Sequence, residues 1–301
     1  MKDELPPHVL ADLARAERLE WWTLGWMASV IAAMAAVVGS SAAMRTALIE
    51  DVLSLVPAAV FLIARRIERR PESRRFPFGF DRVNSLAFLI SAVALASVGA
   101  TLLLESTITL LKREHVTVAP IEVFGAGIWL GWAMIAALAY SVVPPVILGR
   151  MKLPVAKRLQ DKVLHTDALM QRADWQTGLA GIAGILGIGL GLWWADAAAA
   201  ALIALSILHD GVNALRLSTA ELIDGAPRGL DSSDIDPEAA MLQGALEGRF
   251  PGATVRLRET GRFIHAQIDG VSEPEAIDRA ALWPGAPERA WRLGRLSFIA
   301  P

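Results

Sequence analysis

Residues 84–110 read NSLAFLISAVALASVGATLLLESTITL: 27 residues in a row with Glu105 as the one formal charge. Crossing the hydrocarbon core of a bilayer takes about 20 residues of apolar helix, so this stretch alone predicts a membrane span. Working outward, residues 20–40 (with WWTLGWMASVIAAMAAVVGS) and 121–148 are of the same kind, and residues 195–216 make another. Two further stretches have the length but carry charge. Residues 43–65 hold Glu50 and Asp51, and residues 164–192 hold His165, Asp167, Arg172 and Asp174. The expectation is an all-α transmembrane bundle of six helices over 20–216, preceded by a cytoplasmic segment over 1–19.

The short loops give the orientation, because basic residues stay on the cytoplasmic side. Arg65, Arg66, Arg69, Arg70, Arg74, Arg75 and Arg82 follow the second span, and Arg150, Lys152, Lys157, Arg158 and Lys162 follow the fourth. The opposite loops offer Arg45, Lys112 and Arg113, so both termini are expected in the cytoplasm.

Beyond residue 217 the pattern changes to that of a small α+β domain over 217–301. Residues 236–249 read as an amphipathic helix. The alternating runs Thr254–Arg258 and Arg262–Ile268, joined by Thr260-Gly261, read as a hairpin. A short helix near 273–282, cut by Pro284 and Pro287, and a strand near 293–299 complete the unit.

Composition narrows the chemistry. Of 301 residues 54% are hydrophobic, mean hydropathy is +0.43, and the net charge of −2 gives no basic surface for nucleic acid. The absence of cysteine excludes disulfides, thiolate catalysis and thiolate metal sites. No nucleotide loop, Ser/His/Asp set or zinc-protease helix is present, so an enzyme is not expected. In the fifth span Gly178, Gly181, Gly184 and Gly187 recur every third residue, a spacing that lets a neighbouring helix come close.

Charges in mid-membrane are costly and mark function or pairing. At 100° per residue Asp167 and Asp174 fall within about 20° of one another, with Met170 on the same stripe. Glu50 and Ser54 share a face of the second span, with Asp51 beside it. If the two acidic faces meet, four carboxylates share one site, and oxygen ligands of this kind suit a divalent cation, with the Met170 thioether as a softer donor. The alternative is pairing with Arg172 or Arg45.

These segments resemble the cation diffusion facilitators, which exchange divalent metal for protons. Ala47 to Leu55 (ALIEDVLSL) is similar to the family's second-span motif, and Phe76 to Leu86 (FPFGFDRVNSL) to its loop motif, usually H-P-Y-G-H-x-R/K-x-E-x-L. Glu221 to Pro227 (ELIDGAP) resembles the segment entering the cytoplasmic domain, while Asp167 through Asp174 and Ala195-Asp196 match the fifth span and the start of the sixth. The resemblance implies divalent cation efflux by proton-coupled alternating access, a homodimer in the bacterial inner membrane with lipid around it, and no resident cofactor. It also implies a four-coordinate site, two ligands from span two and two from span five. Aligned on Ser54-Leu55, the span-two positions fall on Leu53 and Pro57, and those of span five on Met170 and Asp174, so Asp174 alone is kept. Phe76 and Phe80 stand where the loop has histidines, Asn84 where it has an acid, and Gln267 where the tail has a ligand histidine. A standard zinc site of His and carboxylate ligands cannot form there. Either displaced ligands (Asp174, Met170, Asp51, Glu50, Asp167) hold the cation, with manganese, iron or magnesium favoured over zinc, or the chain is a non-transporting relative serving as a membrane interaction or regulatory partner.

Overall fold

The structure, a computed structural model, describes residues 5–37, 51–113, 120–123, 126–190, 192, 194–274 and 277–300. Its elements in order are α1 (Pro7–Val37), α2 (Val56–Glu68), α3 (Arg82–Lys112), β1 (Pro120–Val123), β2 (Ala126–Trp129), α4 (Leu130–Leu159), α5 (Lys162–Gly189) and α6 (Ala195–Leu222). Then follow α7 (Pro237–Arg249), β3 (Thr254–Thr260), β4 (Phe263–Asp269), α8 (Arg279–Leu282), a 3₁₀ turn (Pro287–Arg292) and β5 (Leu293–Ile299). The protein is mostly helical, with a small sheet near the C-terminus. Three helices among the described residues are long and apolar enough to cross a membrane: Arg82–Lys112, Ile135–Leu159 and Ala197–Leu222. Leu86, Ile90, Val93, Leu104, Ile108 and Leu111 lie exposed along α3, an outward apolar surface that lipid would cover.

Helix α1 starts well before the apolar run because residues 7–19 are themselves amphipathic. Val9, Leu13, Ala16 and Leu19 are buried on one side against Phe61 of α2, Phe88 of α3 and Leu164 of α5. Between Asp51–Leu53 and α2 the helix is interrupted by a turn at Ser54-Leu55. Pro57 explains the break: it has no N–H for the carbonyl at Leu53, and it is tolerated in the first turn of the new helix.

Two expectations about boundaries fail. The fourth span does not begin at 121, because Ile121, Val123 and Ile128 are β-branched and pair as a ribbon (Ile121 opposite Ile128), leaving α4 to start at Leu130. The helix near 273–282 shrinks to Arg279–Leu282, capped by Asp278, which accepts from the Ala280 amide at 3.0 Å. Pro274 disfavours the α region at Glu273, which argues against a helix reaching back to 273. The basic loop after α4 also proves short. Only Gln160 and Asp161 separate α4 from α5, Gln160 taking a left-handed φ of 50° and Asp161 capping the Leu164 amide at 3.0 Å.

Close approach of backbones sets two seams. A Cβ on Gly99 of α3 would lie 2.6 Å from the Leu208 amide nitrogen, and one on Gly211 of α6 would lie 2.6 Å from the backbone of Ala96. Neither obstacle is a movable side-chain tip. Gly99→Ala and Gly211→Ala are each expected to destabilise the protein by about 1–3 kcal/mol, seen as a lower unfolding midpoint in detergent. In the second seam Gly178 and Gly181 of α5 face Val142 and Leu138 of α4, so these two glycines of the three-residue rhythm do admit a neighbouring helix.

In the C-terminal unit β3 and β4 pair antiparallel from Thr254 opposite Asp269 to Thr260 opposite Phe263, and β5 adds in parallel to β4. Asp236 caps α7, whose Ala239, Leu242 and Leu246 cover Val255, Ile264 and Ile268 of the sheet. His265 on β4 is largely enclosed. Burial first, then Arg258, Arg295 and Arg82, press its pKa down to about 4 from the usual 6.5. The unfolded chain therefore binds the extra proton between those values, and stability falls as the pH drops from about 6.5 towards about 4. Unfolding midpoints at stepped pH are expected to show that slope, and His265→Gln to flatten it.

The hairpin turn lodges among the helix ends. Gly261, at φ +60°, gives its amide to Ser85 Oγ and Glu221 Oε1, each at 3.0 Å, and a Cβ there would meet the Asp81 carbonyl at 2.8 Å. Beside it Lys162 pairs with Glu259 and Arg262 joins Glu68 of α2 to Asp161. Burial alone would push Arg262 down, but Glu68 and Asp161 outweigh it and hold the guanidinium above its ordinary value.

Candidate functional site

Helix α5 brings its polar residues to two different depths. Asp174 lies against the interruption before α2: Ser54 Oγ donates to its Oδ1 at 2.7 Å, while Oδ2 is enclosed and has no hydrogen-bond partner. Asp51, partly buried, lies one turn before Ser54 in the chain. Met170, one turn before Asp174, is fully buried among Ala94, Leu95 and Val98 of α3 and Ile207 of α6, with Leu53 packed on the same cluster. Glu50 lies outside the described residues. The span-two residue that faces Asp174 is thus Ser54, one place on from the Leu53 position that the resemblance marks.

Asp167 is turned elsewhere. It pairs with Lys152 of α4, which also donates to Glu20 Oε2 of α1 at 2.8 Å, and all three side chains are wholly buried. Seven residues separate Asp167 from Asp174, a rise of about 10 Å, so a shared helical stripe does not make a shared site. Among the described residues no three His, Asp or Glu side chains converge as a metal cluster. What is assembled is a carboxylate with one unsatisfied oxygen, a hydroxyl, a second acid nearby and a thioether one turn away. Oxygen donors of that kind attract a hard or borderline cation more than a soft one.

Sequence reasoning missed Glu20 and Lys152. Lys152 reads with the basic loop and Glu20 stands at the edge of a span, yet the apolar neighbours of Lys152 in MKLPVA signal that its helix continues. Of the alternative pairings, Arg172 does take an acid, Asp210 of α6 at the surface, and Arg45 lies outside the described residues. The Asp196 side chain lies outside them too. Where the family's loop has histidines, Phe76 and Phe80 stack at 4.8 Å between ring centres, and Asn84 donates to Asp161 at 3.3 Å. In the tail Gln267 donates to Asp269 at 2.8 Å.

Comparison with known proteins agrees with this architecture. Residues 23–223 match the family model described as a cation efflux transmembrane domain. A probable cation efflux system protein of Mycobacterium tuberculosis is 25% identical over 268 residues, covering 88% of this chain and 74% of that protein. The manganese efflux system protein MneS of Bacillus subtilis is 21% identical over 220 residues (73% and 70%). A cadmium, cobalt and zinc/H(+)-K(+) antiporter of Bacillus velezensis is 28% identical over 191 residues (62% and 55%). With two thirds of its length matched by that model and its apolar helices in place, this chain is an integral membrane protein of the cation diffusion facilitator (cation efflux) family, whose members are transporters and not enzymes.

Proposed function

We propose that the chain exports a divalent metal cation in exchange for protons, by alternating access around Asp174. The observation that carries this reading is the enclosed, unpartnered Oδ2 of Asp174 beside Ser54 and Asp51: a buried carboxylate oxygen without a donor is costly unless a cation or proton satisfies it. Exchange with protons follows from the ligand, since a carboxylate has to lose its proton before it holds metal. The proposed site comprises Asp174, Asp51, Glu50 and Met170, with Ser54 as an added oxygen. Asp167 belongs instead to the charged group with Lys152. Oxygen-rich ligation favours manganese, iron or magnesium over zinc.

The proposed layout is a cytoplasmic segment over 1–19, six spans over 20–216 and a cytoplasmic α+β domain over 217–301, dimerised through that domain in a bacterial inner membrane. A second reading, a non-transporting relative that partners another membrane protein, draws on the lack of a three-ligand cluster among the described residues. Metal-dependent proton flux in proteoliposomes, tested with Zn, Mn, Fe, Co, Cd and Mg, separates the two. Flux with at least one ion is expected, and silence with every ion from well-folded protein overturns the transport reading.

A further inference from the structure

Where the apolar half of α2 gives way to its arginines, a cavity of about 170 Å³ opens between α1 and α2. It is lined by Glu17, Trp21, Leu62, Arg65, Arg66 and Arg69. The spacing builds it: Leu62, Arg65 and Arg66 fall at i, i+3 and i+4 on one stripe of α2, Arg69 follows as the residue that ends the helix, and Glu17 and Trp21 sit one turn apart on α1. Three guanidiniums face one carboxylate. Glu17 is shared by Arg65, whose Nε lies 3.2 Å from it, and by Arg69, and Arg65 is further tied to Glu68. Arg66 is exposed and has no ion-pair partner among the described residues. Counted against Glu17 and Glu68, the three arginines leave a net positive charge of about one, carried by Arg66.

Its depth fixes what reaches it. Val56 to Ala64 of α2 is a run of uncharged, mostly apolar residues that ends at Arg65, and Trp21 and Trp22 are 65% and 69% exposed at the same level on α1. Indoles on an outer surface beside the end of an apolar run mark the boundary between acyl chains and headgroups, and basic pockets between helices at that boundary select anionic headgroups. Leu62 and Trp21 supply an apolar wall for the glycerol and first acyl carbons, and the arginines supply forked donors for phosphate oxygens. We propose that this pocket holds the phosphate of an anionic phospholipid such as phosphatidylglycerol. The site is independent of cation transport, so its failure leaves that reading untouched.

The test uses the full chain in nanodiscs of phosphatidylcholine doped with phosphatidylglycerol, the co-purifying lipid being measured by mass spectrometry after delipidation. Wild type is expected to retain phosphatidylglycerol over phosphatidylcholine, and Arg66→Gln to lose about fivefold of that preference, as one arginine near an anionic surface contributes. Arg66 pairs with no acid here, so its removal strands no charge, and a monodisperse elution profile verifies the fold. Arg74→Gln/Arg75→Gln, on the exposed loop away from the pocket, is expected to keep the preference. Equal loss in both variants would show diffuse surface charge and overturn the site, as would no loss in Arg66→Gln. Inorganic phosphate at millimolar concentration is the remaining arm: displacement of the lipid by free phosphate overturns the assignment to a lipid.

Discussion

Lys152→Ala is expected to cost about 3–5 kcal/mol of stability, because it leaves Glu20 and Asp167 charged, buried and unpaired. The three groups come from α1, α4 and α5, none has solvent to turn to, and Glu20 Oε1 and Asp167 Oδ1 already lack donors. The comparison variant is Glu20→Gln/Lys152→Met/Asp167→Asn, which keeps similar volumes and removes all three charges. A fully neutralised group of this kind is expected to recover most of the loss, since buried ion networks contribute little net stability once desolvation is counted. Unfolding midpoints of the wild type and both variants in one detergent decide it. If the single and triple variants melt alike, neither restored volume nor removal of the stranded charges recovers stability, and the ion pairs of Lys152 themselves supply it.

The second large effect is functional. Asp174→Asn preserves size and hydrogen bonding but removes the negative charge that a divalent ion needs, and is expected to lower metal-dependent flux at least about a hundredfold in protein that still purifies as folded material; at about 1.4 kcal/mol per decade this asks for about 2.8 kcal/mol of cation stabilisation from one enclosed carboxylate. Ser54→Ala takes away only the 2.7 Å hydroxyl contact and is expected to raise KM about tenfold while leaving the maximal rate near wild type. Wild-type flux in Asp174→Asn would move the search to Asp51 and Glu50, and unchanged partner-dependent behaviour in both variants would favour the non-transporting reading.

How much of this was legible in the chain differs by the physics involved. The 84–110 stretch announces α3 because a helix facing lipid has to satisfy its own backbone and present apolar side chains, a constraint written in composition alone. Thr260-Gly261 announces the hairpin because its left-handed φ favours glycine. Residues 121–129 mislead for the opposite reason, since β-branched apolar residues satisfy a span and a ribbon equally well. Pro57 signals the break at Ser54-Leu55, yet nothing local says that the broken turn will place Ser54 against a residue 120 positions away. The pairing of Glu20 with Lys152 is illegible on the same ground: helical period assigns each to a face, and only packing of α1 on α4 decides that the two faces meet.

Gly99 and Gly211 leave one mechanical consequence. With the Leu208 backbone nested against one glycine and Ala96 against the other, α3 and α6 interlock like two toothed bars, and no flexible side chain lies at either contact to cushion a slide. Displacement of one along the other would drive main chain into main chain. The pair therefore travels as one stiff plate, and any rocking of the bundle has to find its sliding surface elsewhere.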